Sequence, residues 1–113
     1  VKIIDIREHS ELSKVLKTDD KVILDFYADW CGPCKVLTKV FHEIEKENLF
    51  EDVTILKINV DKFSDVSKSY KVKSMPTMIF TTDDSGDRKV IKTKIGSLPK
   101  NDLIELVRNV YNG

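Results

Sequence analysis

The chain has 113 residues, and its 19 acidic and 19 basic side chains cancel to a formal net charge of zero. That length supports one domain around one core, residues 1–113 as a single unit, and is too short for two. Charge balance offers no footing for nucleic acid, which is usually met by a basic excess. No apolar stretch approaches the roughly 20 residues that span a bilayer, so neither partner is expected.

The start, Val1-Lys2-Ile3-Ile4-Asp5, alternates and soon carries charge, unlike a signal peptide. Lys2–Asp5 is predicted as a short strand. Ser10–Leu16 follows as a helix, with Leu12, Val15 and Leu16 on one face and Ser10 as its cap. Asp19-Asp20 turns the chain into Val22–Tyr27, a run too apolar for a half-wet edge and predicted as a central strand covered on both faces. From Cys34 to about Glu47, Leu37, Val40, Phe41 and Ile44 form an i, i+3, i+4, i+7 stripe. Val53–Val60 is the next strand, so the strand–helix–strand order implies a right-handed parallel crossover.

Phe63, Val66 and Tyr70 mark a shorter helix. Thr77–Thr82 and Lys89–Ile95 flank Asp83-Asp84-Ser85-Gly86-Asp87, which predicts an antiparallel hairpin with a longer-than-minimal loop. The last helix, about Lys100–Tyr111, carries Leu103, Leu106, Val107 and Val110, with Pro99 in its first turn. The order β-α-β-α-β-α-β-β-α predicts an α/β fold, a central mixed sheet with helices on both faces.

The two cysteines, Cys31 and Cys34, lie in Asp29-Trp30-Cys31-Gly32-Pro33-Cys34-Lys35, between the central strand and the helix after it. Two cysteines are too few for the stapled scaffold of a small secreted protein, and cytoplasmic residence is the expectation. A ring this short removes little unfolded-chain entropy, so reversible chemistry accounts for the pair better than stability does. Near a helix start, unpaired amides and the helix dipole favour a negative sulfur. Cys31 is accordingly expected as the exposed attacking thiolate, and Cys34, deeper by three residues, as the resolving thiol of thiol–disulfide exchange. Gly32 permits close approach, and Pro33 pre-sets a helical φ. Zinc would need two further ligands. His9 and His42 are single residues without a second cysteine pair, so no metal is expected.

Around the pair, Trp30 is either ordinary aromatic packing or a flat apolar wall for a peptide; an indole suits both. Asp25 interrupts the apolar run Val22–Tyr27. Either that strand exposes one face, or Asp25 lies under Cys34 with a raised pKa and takes its proton. Lys57 similarly interrupts Ile55-Leu56-Lys57-Ile58, reaching either the surface or Asp25. Met75-Pro76 precedes a strand; it is an ordinary trans turn, or a cis bond turning the Met75 backbone toward the cysteines to meet an extended substrate.

Asp25-Phe26-Tyr27-Ala28-Asp29-Trp30-Cys31-Gly32-Pro33-Cys34-Lys35 resembles the active-site segment of the thioredoxin family. So do Lys57-Ile58-Asn59-Val60-Asp61, Tyr70 with Val72, Met75-Pro76-Thr77 with Phe80, and Gly96, in order along nearly the whole chain. The resemblance implies a thioredoxin fold, a low-potential protein disulfide reductase and a cis peptide before Pro76. It implies that Cys31 is the nucleophile, Cys34 the resolving thiol, Asp25 the buried carboxylate and Lys57 its neighbour. Trp30, Gly32, Pro33, Met75 and Pro76 would form the substrate-facing surface.

No bound cofactor is implied; reducing equivalents would come from NADPH through a thioredoxin reductase. Clients would include ribonucleotide reductase, peroxiredoxins and methionine sulfoxide reductase, and a monomer is expected. Tyr27, Lys39, Lys71, Ser74 and the 83–87 turn depart from the family pattern. Tyr27 stands where many members carry tryptophan, and Lys39 replaces a helix proline. Two rivals are a disulfide oxidase or isomerase, which would often carry histidine between its cysteines, and a redox-silent scaffold.

Overall fold

The computed structural model describes residues 1–112. Five strands, β1 (Lys2–Asp5), β2 (Lys21–Tyr27), β3 (Val53–Asn59), β4 (Thr77–Asp84) and β5 (Asp87–Ile95), form one sheet in the order β1-β3-β2-β4-β5. Four helices, α1 (His9–Thr18), α2 (Gly32–Lys46), α3 (Ser64–Ser69) and α4 (Lys100–Asn112), complete it. β3 runs parallel to both β1 and β2, while β4 is antiparallel to β2 and to β5. β2 is therefore the middle strand, as its unbroken apolar run predicts.

Alternation along β2 sorts its side chains onto two faces. Val22, Leu24 and Phe26 pack with Leu12 and Val15 of α1 and Val66 of α3. Ile23 packs on the opposite face with Leu37, Phe41 and Ile44 of α2 and Leu103 and Val107 of α4. Both faces are thus covered, and β2 can leave the sheet only at its ends. Its C-terminal end opens into the cysteine turn.

The hairpin is tighter than its sequence predicts. Asp83 and Asp84 pair with Arg88 and Asp87, which leaves only Ser85-Gly86 as the loop. Both loop residues have positive φ, 53° and 97°, the geometry that matches a two-residue turn to strand twist. The acidic residues are the exposed end of a ladder, not a loop. Asp83 also accepts the Gly86 amide at 3.2 Å.

Two caps differ as well. At α1 the capping residue is Glu8, not Ser10, because Glu11 Oε1 accepts the Arg7 and Glu8 amides at 2.8 and 3.1 Å. Pro99 sits one position before the first turn of α4, its carbonyl accepting from the Leu103 amide at 2.9 Å.

Candidate active site

From Tyr27 the chain runs through Ala28-Asp29-Trp30 to Cys31, which is the N-cap of α2 with extended backbone (φ −94°, ψ 109°). Gly32, Pro33 and Cys34 form the first turn, where a proline forfeits no intrahelical bond. The Cys34 amide donates to Cys31 Sγ at 3.2 Å, so the sulfur takes the place that a serine or aspartate oxygen usually fills.

The two cysteines are joined as a disulfide, with Cα atoms 5.3 Å apart, inside the range such a bond requires. Only 5% of Cys31 and 3% of Cys34 are exposed. The expected contrast between an open and a shielded cysteine is therefore absent in this oxidised state. The bonded sulfurs cover one another and pack on Ala28, with Tyr27, Val60 and Met75 alongside.

Trp30 is 70% exposed, with its indole N–H donating to Asp61 at 3.2 Å; it is not a core residue. A Cβ built on Gly32 would meet nothing within 4 Å, so packing within the chain does not require a glycine there. Gly32 and Pro33 are exposed. The Met75–Pro76 bond is cis. Pro76 is anchored from the far end of β5, where the Gly96 amide donates to its carbonyl at 2.8 Å. Gly96 makes that bend with φ of +91°, a conformation that suits glycine.

Beneath the α2 face, register draws a polar row across the sheet. Asp5 on β1 pairs with Lys57 on β3, and Lys57 pairs with Asp25 on β2, which in turn faces Met78 on β4. Asp25 is 1% exposed, and neither of its carboxylate oxygens has a hydrogen-bond partner. Burial pushes its carboxyl up to about 7; Lys57 opposes that rise and Asp5 adds to it. Lys57 is half-buried, its Nζ 4.5 Å from the centroid of the Tyr27 ring. The strand thus buries Asp25 rather than exposing a face, and Lys57 does not reach out freely to solvent.

A cavity of about 380 Å³ reaches Cys34 from the side of α2, lined by Asp5, Tyr27, Lys57, Thr38 and Lys39 among others. Asp5 was not singled out from sequence. The available signal was its place in Ile3-Ile4-Asp5, where alternation sends Ile3 and Asp5 to the same face as Ile23 and Asp25. Among the described residues, no cluster of three or more His, Cys, Asp or Glu side chains is arranged to hold a metal ion, and no helix is long and apolar enough to cross a membrane.

A disulfide closed across the first turn of a helix, above a sheet whose middle strand buries an unpartnered carboxyl, defines a protein dithiol–disulfide oxidoreductase. The thioredoxin family profile matches residues 3–109. The thioredoxin of Mycoplasmoides gallisepticum is 41% identical over 103 residues, covering 91% of this chain and 97% of that protein. That of Rickettsia bellii is 38% identical over 106 residues, covering 93% and 95%. Among solved structures, oxidised mitochondrial thioredoxin 3 of Saccharomyces cerevisiae superposes with a TM-score of 0.75 at 30% identity, covering 98% of this chain and 95% of that one. Chloroplastic thioredoxin z gives 0.79 at 27% identity, covering 100% and 97%. The chain belongs to the thioredoxin family and has the thioredoxin fold.

Proposed function

We propose that this oxidoreductase works as a reductant of protein disulfides, with residues 1–113 acting as one monomeric unit in the cytoplasm. The observation that carries the reading is the Cys31 sulfur capping α2 and accepting the Cys34 amide. In the reduced protein that position favours a thiolate on Cys31 over one on Cys34.

Cys31 thiolate attacks one sulfur of a client disulfide, forming a mixed disulfide and expelling the other client sulfur as thiolate. Cys34 then gives its proton to the Asp25 carboxylate and attacks Cys31 Sγ. The Cys31–Cys34 bond forms, the mixed disulfide breaks, and the second client thiolate leaves; two electrons have passed from the dithiol to the client. An Asp25 carboxyl titrating near neutrality is half ionised there, suited to taking a proton and releasing it later. Lys57 supplies the opposing charge on the neighbouring strand.

Trp30, Gly32 and Pro33, with the Met75 backbone and cis Pro76, make the surface on which an extended client lies. The open space around Gly32 supports that reading. Recharging falls to a thioredoxin reductase drawing on NADPH. The clients are reductive enzymes that finish each cycle with a disulfide: ribonucleotide reductase, peroxiredoxins and methionine sulfoxide reductase.

The polarity is tested by trapping. Cys34→Ser, incubated with a disulfide-bonded protein, is expected to accumulate a mixed disulfide, and Cys31→Ser to accumulate none. Comparable trapping by both overturns the assignment. The direction of electron flow is tested by equilibration with glutathione followed by insulin reduction. A potential near the value of about −120 mV typical of a strong periplasmic oxidant overturns the reductant role.

A further inference from the structure

The cation next to Asp25 in its row, Lys57, is held elsewhere. Lys57 stands in register between two carboxylates, Asp5 and Asp25, and no hydrogen bond from it reaches Asp25. Its ammonium instead lies over the Tyr27 ring, 4.5 Å from the centroid, where the ring quadrupole attracts it. Tyr27 is in turn fixed at its other end. Its hydroxyl donates to both oxygens of Asp5, at 2.8 and 3.0 Å. Burial first, and then the bond to Asp5, push the Tyr27 phenol above its ordinary value, so it remains a donor at neutral pH.

We propose that Tyr27 and Asp5 form a positioning pair that sets how the Lys57 ammonium is shared between Asp5 and Asp25, placing the proton occupancy of the Asp25 carboxyl under the control of β1. The proposal rests on reading Asp25 as the proton acceptor for Cys34. It assigns positioning roles to two residues that make and break no bond in the exchange: Tyr27, which packs beside the disulfide, acts by seating Lys57, and Asp5 by holding Tyr27 and competing for Lys57.

The other groups around Asp25 leave Lys57 as the decisive charge. β4 sets uncharged Met78 beside it, and Lys94 on β5 is the next residue in that row. From above, α2 contributes Cys34, with Lys35 and Lys39 on the cavity wall, and the turn before α2 contributes Asp29. Of these neighbours, Lys57 and Asp5 are the charges that bear on the Asp25 carboxyl, Lys57 lowering it and Asp5 raising it.

The pair makes two opposite predictions. Asp5→Asn keeps an acceptor for the Tyr27 hydroxyl but removes the charge that competes for Lys57 and repels an ionised Asp25. The Asp25 midpoint should fall, because a like charge that opposes its ionisation is gone and Lys57 is freed toward it. Tyr27→Phe keeps the ring face but strips Asp5 of its donor. Asp5 then draws Lys57 to itself, and the Asp25 midpoint should rise.

The test is a carbon-13 NMR titration of the Asp25 carboxyl in the oxidised protein, parent against Asp5→Asn and Tyr27→Phe. Shifts of opposite sign, down and up, support the pair; a purely structural role would alter melting temperature without splitting the midpoints this way. A midpoint that stays put in either variant, or moves against its sign, overturns the proposal. The titration needs no turnover, so it is independent of the proton-acceptor role, which fails only if Asp25→Asn resolves a preformed mixed disulfide at the parent rate.

Discussion

Asp25 on β2 and Lys57 on β3 are partners in register, yet no hydrogen bond joins them. A carboxyl buried without a partner is stable only as the neutral acid or at a cost. Asp25 therefore sits where a hydrophobic side chain would fold better, and packing does not account for it.

That cost has a pH dependence. The folded-state carboxyl is raised from 3.8 to about 7. Between those values the folded protein keeps a proton that the unfolded chain has lost, so stability falls as pH rises through this window and levels off above it. Asp25→Ala should remove the slope. At about pH 8 the gain is at most about 4 kcal/mol, three pKa units converted, less the cost of the small cavity; at about pH 3 no gain remains. Denaturant unfolding of the oxidised protein at both pH values checks this, and an equal change at each would contradict it.

Lys71 is the left-handed residue that ends α3, with φ of 59°. Its amide returns to the Lys68 carbonyl at 3.0 Å and the Val72 amide to Ser67 at 2.9 Å, the bond pattern of a helix end that usually carries glycine. Lys71→Gly should stabilise the protein by about 1 kcal/mol through relief of backbone strain. Thermal unfolding measures it; a lower melting temperature would show that the lysine side chain contributes something larger.

Arg88 closes the opposite end of the molecule. Its Nη1 donates to the Asp20 carbonyl, and its Nη2 to the Leu16 and Asp19 carbonyls, all at 2.6 Å. The guanidinium thus caps the C-terminal end of α1, where a cation also suits the helix dipole. Arg88→Met retains the aliphatic stem but orphans these carbonyls, and should cost about 3 kcal/mol in denaturant unfolding. A loss below the roughly 0.5 kcal/mol of an ordinary surface change would mean that water replaces the guanidinium.

Trp30 tests the client surface. Because the ring is 70% exposed, Trp30→Ala should leave stability within about 0.5 kcal/mol. The same change should lower kcat/KM for insulin by roughly tenfold, the scale of a modest aromatic anchor at an interface, with small-molecule disulfides reduced nearly as before. Equal loss on both substrates would place the indole in the chemistry instead.

Much of this was legible locally. The run Val22–Tyr27 announced a doubly covered strand, and the spacing of Leu37, Val40, Phe41 and Ile44 announced the helix that covers it. Asp25 was visible because a carboxylate interrupts an apolar strand. What escaped depends on distant partners. The Arg88 cap bridges residues far apart in the chain, and nothing around Arg88 distinguishes it from a solvated edge residue. The Asp5–Tyr27 bond exists because β3 lies between β1 and β2, a strand order that local periodicity does not encode. The acidic pair Asp83-Asp84 reads as loop by composition, while positive φ at Ser85 and Gly86 extends the ladder. The burial of Cys31 escaped because a helix-start position reads as open, whereas the bonded pair packs on Ala28 beside Tyr27, Val60 and Met75, contacts that the local pattern does not encode.

The N-cap of α2 is an atom that changes its bonding during the reaction. Cys31 Sγ holds the Cys34 amide in place, and in the proposed mechanism it is also the atom to which a client becomes attached. The first turn of that helix and the captured protein consequently share one sulfur, and each covalent exchange is imposed directly on a single main-chain proton. The nitrogen-15 resonance of Cys34 in isotopically enriched protein should therefore serve as an internal gauge of oxidised, reduced and client-bound forms, with no reporter group attached.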